Sequence, residues 1–369
     1  MRAKAAITLA MTVFLAWLVD ARADWKSDWE KIVAAAKKEG RLNLYVGRYG
    51  QEALLAEFKK EYPEIKLVTV NGTGNQLATR IVAEARGGKT IADLYSGGPN
   101  SSFNFLYRGK LLDSIKAAFI LPEVVDESKW YGARHTFTDP EGQFIFIYVA
   151  LPGSRGLAYN STRVDPREFN SYWDLTQPKW KGKMVSQRPT ETGLSAHLQF
   201  YYYHPELGPN FIRRLFGEMD MTFGDRRMIT DWLAAGKFAI CHGCREIEKA
   251  HSQGLPVDDF DTGGWKEGEA LSTGGGSISL IKGGPHPHAA RVFINWFLSR
   301  KGQIALQSSK DLYGEHPPNS RRIDIPKDML PRESRLVEGR KYLDVARPEF
   351  SDMAAVSRLA REIMKAREQ

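Results

Sequence analysis

The stretch from residue 41 to residue 98 most narrows what this chain can fold into. RLNLYVG (41–47) alternates apolar and polar side chains like a strand, and QEALLAEFKKEYPEI reads as a helix stopped by Pro63. KLVTVNG is a second strand, and the turn Gly72-Thr73-Gly74 leads into NQLATRIVAEARGG, a second helix with Leu77, Ile81 and Ala85 on one face. IADLYSGG is a third strand closed by Gly97 and Gly98. Strands that alternate with helices at this spacing form a parallel sheet covered on both faces. Ligands of such sheets sit at the carboxyl ends of the strands, so the loops 47–51, 72–76 and 96–100 are the first candidates for function.

The pattern changes after residue 143. QFIFIYVALPGSRGLAYNSTRV is a long extended run broken at Pro152-Gly153, and it reads as a passage from one lobe to another. A second α/β series follows. KMVSQ is a strand whose polar turn from Arg188 leads into a helix that Thr192 would cap. FIRRLFGEM and RRMITDWLAAG are helices on either side of MTFGD, and KFAIC is a strand followed by the helix CREIEKAHSQG. LSTGGGSISLIKGG (271–284) is a second extended return, PHPHAARVFINWFLSRKGQIALQ two amphipathic helices, and the tail from Pro331 mainly helical. The expectation is an α/β chain of two lobes. The first takes residues 24–145 and 275–310, and the second 146–274 and 311–369 with the C-terminal helices.

The first 23 residues carry Arg2 and Lys4, an apolar run from Ala5 to Val19, and Ala21-Arg22-Ala23. That is the layout of a cleaved secretory signal, so residues 1–23 are set aside and a periplasmic location is expected. With no cysteine near the cleavage site, lipid anchoring is not expected. The formal charge of +8 is scattered rather than run together. Nucleic-acid binding is a poor reading of that pattern, whereas encounters with anionic solutes are favoured.

GLAYNSTRV, DLTQPKWKGKM, ITDWLAAGKFAI and the glycine return followed by PHAARVFINWFLSRKGQIALQ together resemble the periplasmic solute-binding proteins of ABC importers. The similarity runs over nearly all of residues 30–320 and is nearest the ferric-ion-binding branch of the class 1 extracellular solute-binding proteins. It implies the type 2 periplasmic-binding fold, with two crossing strands as a hinge and a ligand cleft between the lobes. It also implies a monomer that hands its solute to a permease in the inner membrane, without a cofactor and without catalysis. In ferric-binding members a His, a Glu and a Tyr-Tyr pair hold the metal. The corresponding positions here fall at Tyr49, at Gly97 and at Cys244-Arg245. Glycine offers no ligand and arginine a permanent positive charge, so the resemblance as modified here implies an anion in place of iron.

The candidate anion-binding residues follow from those loops. Arg48 and Tyr49 lie after the first strand. Thr73, Gly74 and Asn75 open a helix, and Ser96 and Gly97 end the third strand. Arg188, Thr190 and Thr192 come from the SQRPTETG turn, and Asp225 and Arg226 from GDRR. His242 and Arg245 flank the last turn, Arg245 being expected in the first turn of its helix, where backbone N–H groups favour negative charge. Tyr95 and Tyr148 are further candidates for cleft walls. A ferric site of unusual composition, built from His242, Tyr49 and Glu191, is the alternative, and an enzyme or redox protein using CHGC a more distant one. The two cysteines, Cys241 and Cys244, lack the partners of a zinc site. In an oxidising compartment a local disulfide is favoured over free thiols and over metal. Such a bond would fix the loop that presents His242 and Arg245. The spacing of His286 and His288 resembles that of metal ligands, but a turn before a helix is the simpler reading.

Overall fold

A computed structural model describes residues 25–50, 52–153, 156–191, 194–309, 317–330 and 334–369. The leader and Thr192 lie outside the described residues. The chain divides into two compact units. One comprises the residues up to Tyr148 together with Gly275–Met329, the other Val149–Gly274 with Leu330–Gln369. The chain therefore passes between units at 148/149, 274/275 and 329/330. Among the described residues no helix is long and apolar enough to cross a membrane.

In the first unit, strands β1 (Arg41–Val46), β2 (Lys66–Asn71) and β3 (Leu94–Gly97) pair in parallel in the order β2-β1-β3. The carboxyl ends therefore fall on one edge of the sheet. β13 (Ser277–Ile281) then runs antiparallel to β3, with Ser277 opposite Gly97, and pairs on its other side with β4 (Leu112–Asp113) and β5 (Phe146–Ile147). The helix Gly74–Arg86 begins on a capping box: Thr73 and Gln76 satisfy each other's backbone N–H groups. It buries Leu77, Ala78 and Ile81.

The helix Pro287–Leu298, expected to be amphipathic, is buried on nearly every side. It packs on β1, on the helix Glu52–Glu61 and on the helix Arg300–Ser308, so a single apolar stripe would not have sufficed. Phe58 meets Phe293 and Trp296 edge-on at ring separations of 5.0 and 5.2 Å. Asn295, wholly buried within this helix, accepts from the Ile120 and Leu121 N–H groups and donates to the Ala118 carbonyl.

The PHPH segment is explained at the start of the same helix. Glu39 accepts the backbone N–H groups of His288 and Ala289, and its Oε1 lies 2.7 Å from His288 Nδ1. Asp93 does the same for His286, through the backbone N–H at 2.7 Å and Nδ1 at 2.9 Å. Each imidazole thus engages a different carboxylate, and the two acids satisfy N–H groups that the helix leaves open.

The second unit holds a five-stranded sheet. β7 (Leu157–Asn160) pairs antiparallel with β11 (Val257–Asp259) and β10 (Ile240–His242). β8 (Met184–Ser186) and β9 (Met221–Phe223) continue in parallel from β10, giving the order β11-β7-β10-β8-β9. A smaller sheet joins β6 (Leu151–Pro152), β12 (Glu269–Ser272) and β14 (Tyr342–Asp344). After residue 330 the described α-helical structure is one helix, Met353–Arg367, where several were expected. Residues 317–329 belong to the first unit, although the sequence reading gave 311–369 to the second lobe. The reason is local. Arg322 is fully buried, makes two hydrogen bonds to Asp324 and lies over the Trp130 ring, while the Arg321 N–H donates to the Tyr148 carbonyl.

Glu39→Ala should remove two helix-capping bonds at once and lower the stability of the first unit by about 1–2 kcal/mol. Urea unfolding of the whole chain, followed by the fluorescence of Trp296 against a Trp296→Phe control, measures this. An unchanged midpoint would show that the capping carries no net stability.

Candidate functional site

At the carboxyl ends of β1 and β3 the two strand termini almost touch. The Gly47 N–H donates to the Ser96 carbonyl at 2.7 Å, and a Cβ on Gly47 would lie 3.2 Å from the Gly97 Cα. A side chain at Gly47 would press on the Gly97 backbone, which would have to give by a few tenths of an ångström. Beneath them the tyrosines act as braces. Tyr95 donates to the Gly74 carbonyl at 3.1 Å, and the Tyr148 hydroxyl lies 2.9 Å from Ser96 Oγ. Tyr148 also packs edge-on against Tyr49. All three rings are buried, so Tyr95 and Tyr148 support this face and do not line it. Burial pushes both phenols above their ordinary pKa. The exposed or half-exposed groups are Arg48, stacked over Tyr49, together with Thr73 and Asn75, whose Oδ1 accepts from the buried Ser101 hydroxyl at 2.6 Å.

The second unit gathers its groups where β8, β9 and β10 end. Gly224 N–H donates to the Ser186 carbonyl, and Gln187 N–H to the His242 carbonyl. Gly243 and Cys244 both donate to the Gly156 carbonyl, at 2.6 and 3.1 Å. Gly156 has φ +81°, and a Cβ there would lie 2.5 Å from the Cys244 carbonyl oxygen, so glycine is required. Arg226 is the first residue of the helix Arg226–Ala234, and its Nε donates to the Gly243 carbonyl at 3.1 Å. Four residues on, Thr230 Oγ1 accepts the Arg245 N–H at 3.1 Å, and its one proton has the Arg226 and Arg245 carbonyls as acceptors, each at 3.1 Å. Arg226 and Arg245 are thereby tied to one turn. Cys241 and Cys244 form a disulfide across that turn, as the oxidising compartment led us to expect.

Several expected site residues stand elsewhere. His242 is completely buried. On a strand it shares a face with Ile240, and its Nε2 lies 2.8 Å from the Tyr201 hydroxyl, with the His197 and Phe216 rings against it. It therefore faces the core, and a ferric site drawing on His242 loses that ligand. Arg245 is not in a helical first turn, because the helix begins two residues later, at Ile247. Glu246, between them, takes a left-handed conformation (φ 54°), which breaks the helix. Arg188 is exposed and pairs with Glu368 at 3.6 Å. The Asp225 carboxylate caps the Arg227 and Met228 N–H groups. Thr190 is exposed on the same turn as Arg188. Sequence reasoning missed Thr230 and Gly156. The i, i+4 spacing of Arg226 and Thr230 was a signal for the first, and no local signal marks the second. Among the described residues no group of three or more His, Cys, Asp or Glu side chains could hold a metal ion.

Two α/β units with this strand order, and loops gathered at the strand ends, define a solute-binding protein of the periplasmic-binding fold, the class that serves ABC-type transport. The profile of the family described as bacterial extracellular solute-binding protein matches residues 44–304, and the chain belongs to that family. Solved structures share the fold. IdiA (FutA) of Trichodesmium, in complex with iron and citrate, is 17% identical over 88% of this chain and 99% of its own, with a TM-score of 0.65. Iron-bound HitA of Pseudomonas aeruginosa is 17% identical over 88% of this chain and 99% of its own, at 0.60. AfuA of Actinobacillus pleuropneumoniae, with fructose-6-phosphate bound, is 18% identical over 89% and 98%, at 0.59.

Burial among aromatic rings, with His197 beside it, holds the His242 imidazole well below its ordinary pKa. The unfolded chain therefore binds a proton that the folded chain refuses. This stability is complete above the unfolded value near 6.5 and falls by up to about 1.4 kcal/mol per pH unit below it, until the folded value is reached. His242→Gln, which keeps a donor and acceptor for Tyr201, should flatten that part of the acid limb of a stability–pH curve. An identical slope in the variant would mean that His242 is not the group responsible.

Proposed function

We propose that this protein captures a small anion, of the carboxylate or phosphate type, and delivers it to an ABC permease of the inner membrane. It would act as a periplasmic monomer released by cleavage after Ala23, as a binding protein and not as a catalyst. The observation that carries the reading is that Arg226, through its Nε, and Arg245, through its backbone, are both tied to the turn after β10. A guanidinium is the side chain that meets a carboxylate or phosphate in forked geometry. Asp225, the acid next in sequence, turns its Oδ1 to the Arg227 and Met228 N–H groups at the helix start. In the first unit, Arg48 and the exposed Asn75 amide are of a kind suited to the same ligand class. The relatives of known structure are divided: AfuA holds a sugar phosphate, whereas HitA holds iron and the Trichodesmium protein iron with citrate. Gly97 and the Cys244-Arg245 pair, standing where the ferric branch has anionic ligands, favour the anion for this chain.

Native mass spectrometry with metal analysis, on protein purified from the periplasm without chelator, tests this directly. A small anionic mass that leaves on unfolding, without iron, is expected, and stoichiometric iron would overturn the reading. Once the solute is in hand, Arg226→Ala and Arg245→Ala should each weaken it by about 10- to 100-fold in calorimetric titration. Arg188→Ala should change affinity by less than about threefold, as suits an exposed pair.

A further inference from the structure

The Cys241–Cys244 disulfide spans the turn that carries the cationic groups, and this turn is unusual in its backbone. Between the end of β10 at His242 and the helix start at Ile247 there are two left-handed residues, Gly243 (φ 89°) and Glu246 (φ 54°). Glycine adopts that conformation freely, but glutamate does so at a cost. The sequence alone favours a different solution, in which the helix starts at Cys244 and takes Arg245 into its first turn. Something must hold the turn against that extension. The described bonds do so from two sides: the Gly156 carbonyl accepts from Gly243 and Cys244, and Thr230 clamps both the N–H and the carbonyl of Arg245. The disulfide is the only covalent closure. Its cysteines are buried at 0% and 2% exposure, against Val185, Ala158 and Ile247 of a small apolar cluster.

We infer that the Cys241–Cys244 disulfide is a positioning element of the solute site: it keeps the left-handed turn at Glu246 in place and so sets where Arg226 and Arg245 present their guanidinium groups. Arg226 is drawn in through the Gly243 carbonyl and Arg245 through its own backbone, so both positions follow the turn. Without the bond the helix grows toward Cys244, the Arg245 N–H leaves Thr230, and the Gly243 carbonyl that holds Arg226 Nε moves with the turn. The effect on solute binding rests on the anion reading above, whereas the effect on the turn does not.

The test compares the oxidised full-length protein with the Cys241→Ser/Cys244→Ser double variant, alone and combined with Glu246→Gly. Amide hydrogen exchange is read at Gly243, Cys244 or its replacement, and Arg245, with Tyr159 and Val185 as references in the neighbouring strands. Exchange at the turn should accelerate by about tenfold or more in the double variant while the references hold. Adding Glu246→Gly should restore protection, because glycine takes the left-handed conformation without help. Turn amides that exchange as in the oxidised protein would overturn the inference. So would an equal acceleration at Tyr159 and Val185, which would make the bond a general staple, or a failure of Glu246→Gly to restore the turn. Citrate and inorganic phosphate are titrated in parallel. Weakening that follows the exchange data is expected where the oxidised protein binds either ion. Exchange effects as expected, with iron and no anion in the native protein, would leave the positioning role standing and remove the anion reading alone.

Discussion

The antiparallel ladder between β3 and β13 is the constraint on which the rest depends. It pairs Leu94–Gly97 with residues 277–280, far downstream, and so completes the first unit's sheet only when the chain has returned. Everything from Val149 to Gly274 must then form a unit of its own, and the passages at 148/149 and 274/275 must lie side by side. They do: the Tyr148 N–H donates to the Gly276 carbonyl, and β5 pairs with β13 at Ile147 and Ser277. The same ladder brings Ser277 to the Gly97 carbonyl, at 2.7 Å, beneath the candidate loops. Pairings of such sequence separation form late, because loop closure must precede them.

The glycines make that geometry possible. β1 and β3 end so close together that Gly47 faces Gly97 without a side chain on either. Tyr95 and Tyr148, locked by Gly74 and Ser96, fix the loops from below. Rigid support beneath polar loops favours binding, since less ordering is left to do when the solute arrives. The second unit reaches a similar result by different chemistry, with Thr230, Gly156 and a disulfide in place of the tyrosine braces.

How much of this was legible in the sequence depended on periodicity. β1, β2 and the helix Gly74–Arg86 show a clear period and stand where the pattern put them. The helix Pro287–Leu298 was legible as a helix, but its burial on several sides was not, because the polar Asn295 has its partners in the distant Ala118–Leu121 segment. His242 was misplaced for a related reason. β10 has three residues, all buried, so nothing in Ile240-Cys241-His242 says which face meets the core. Arg245 was carried into the helix by propensity. Tertiary bonds to Thr230 and the left-handed Glu246 override it. Residues 317–329 went to the wrong unit because a buried arginine with an acid two positions on looks, in sequence, like surface charge. Arg322 is instead wholly enclosed.

The protonation chemistry of the two candidate ligand classes separates them further. Holding Fe(III) through phenols requires those phenols to lose protons, and metal binding to such groups releases them. In the first unit the nearby Tyr95 and Tyr148 hydroxyls are buried, engaged with Gly74 and Ser96, and more reluctant to ionise than free tyrosine. Tyr49 is enclosed between Tyr148 and Arg48. Bringing any of them to a metal would break a brace before making a ligand. An anion asks nothing of the kind. A guanidinium carries its positive charge without releasing a proton, and Arg226 Nε and the Arg245 backbone are each tied to the turn after β10. The two ligand classes thus ask opposite things of a strand end: an oxygen ligand that gives up a proton, or a positive charge already in place.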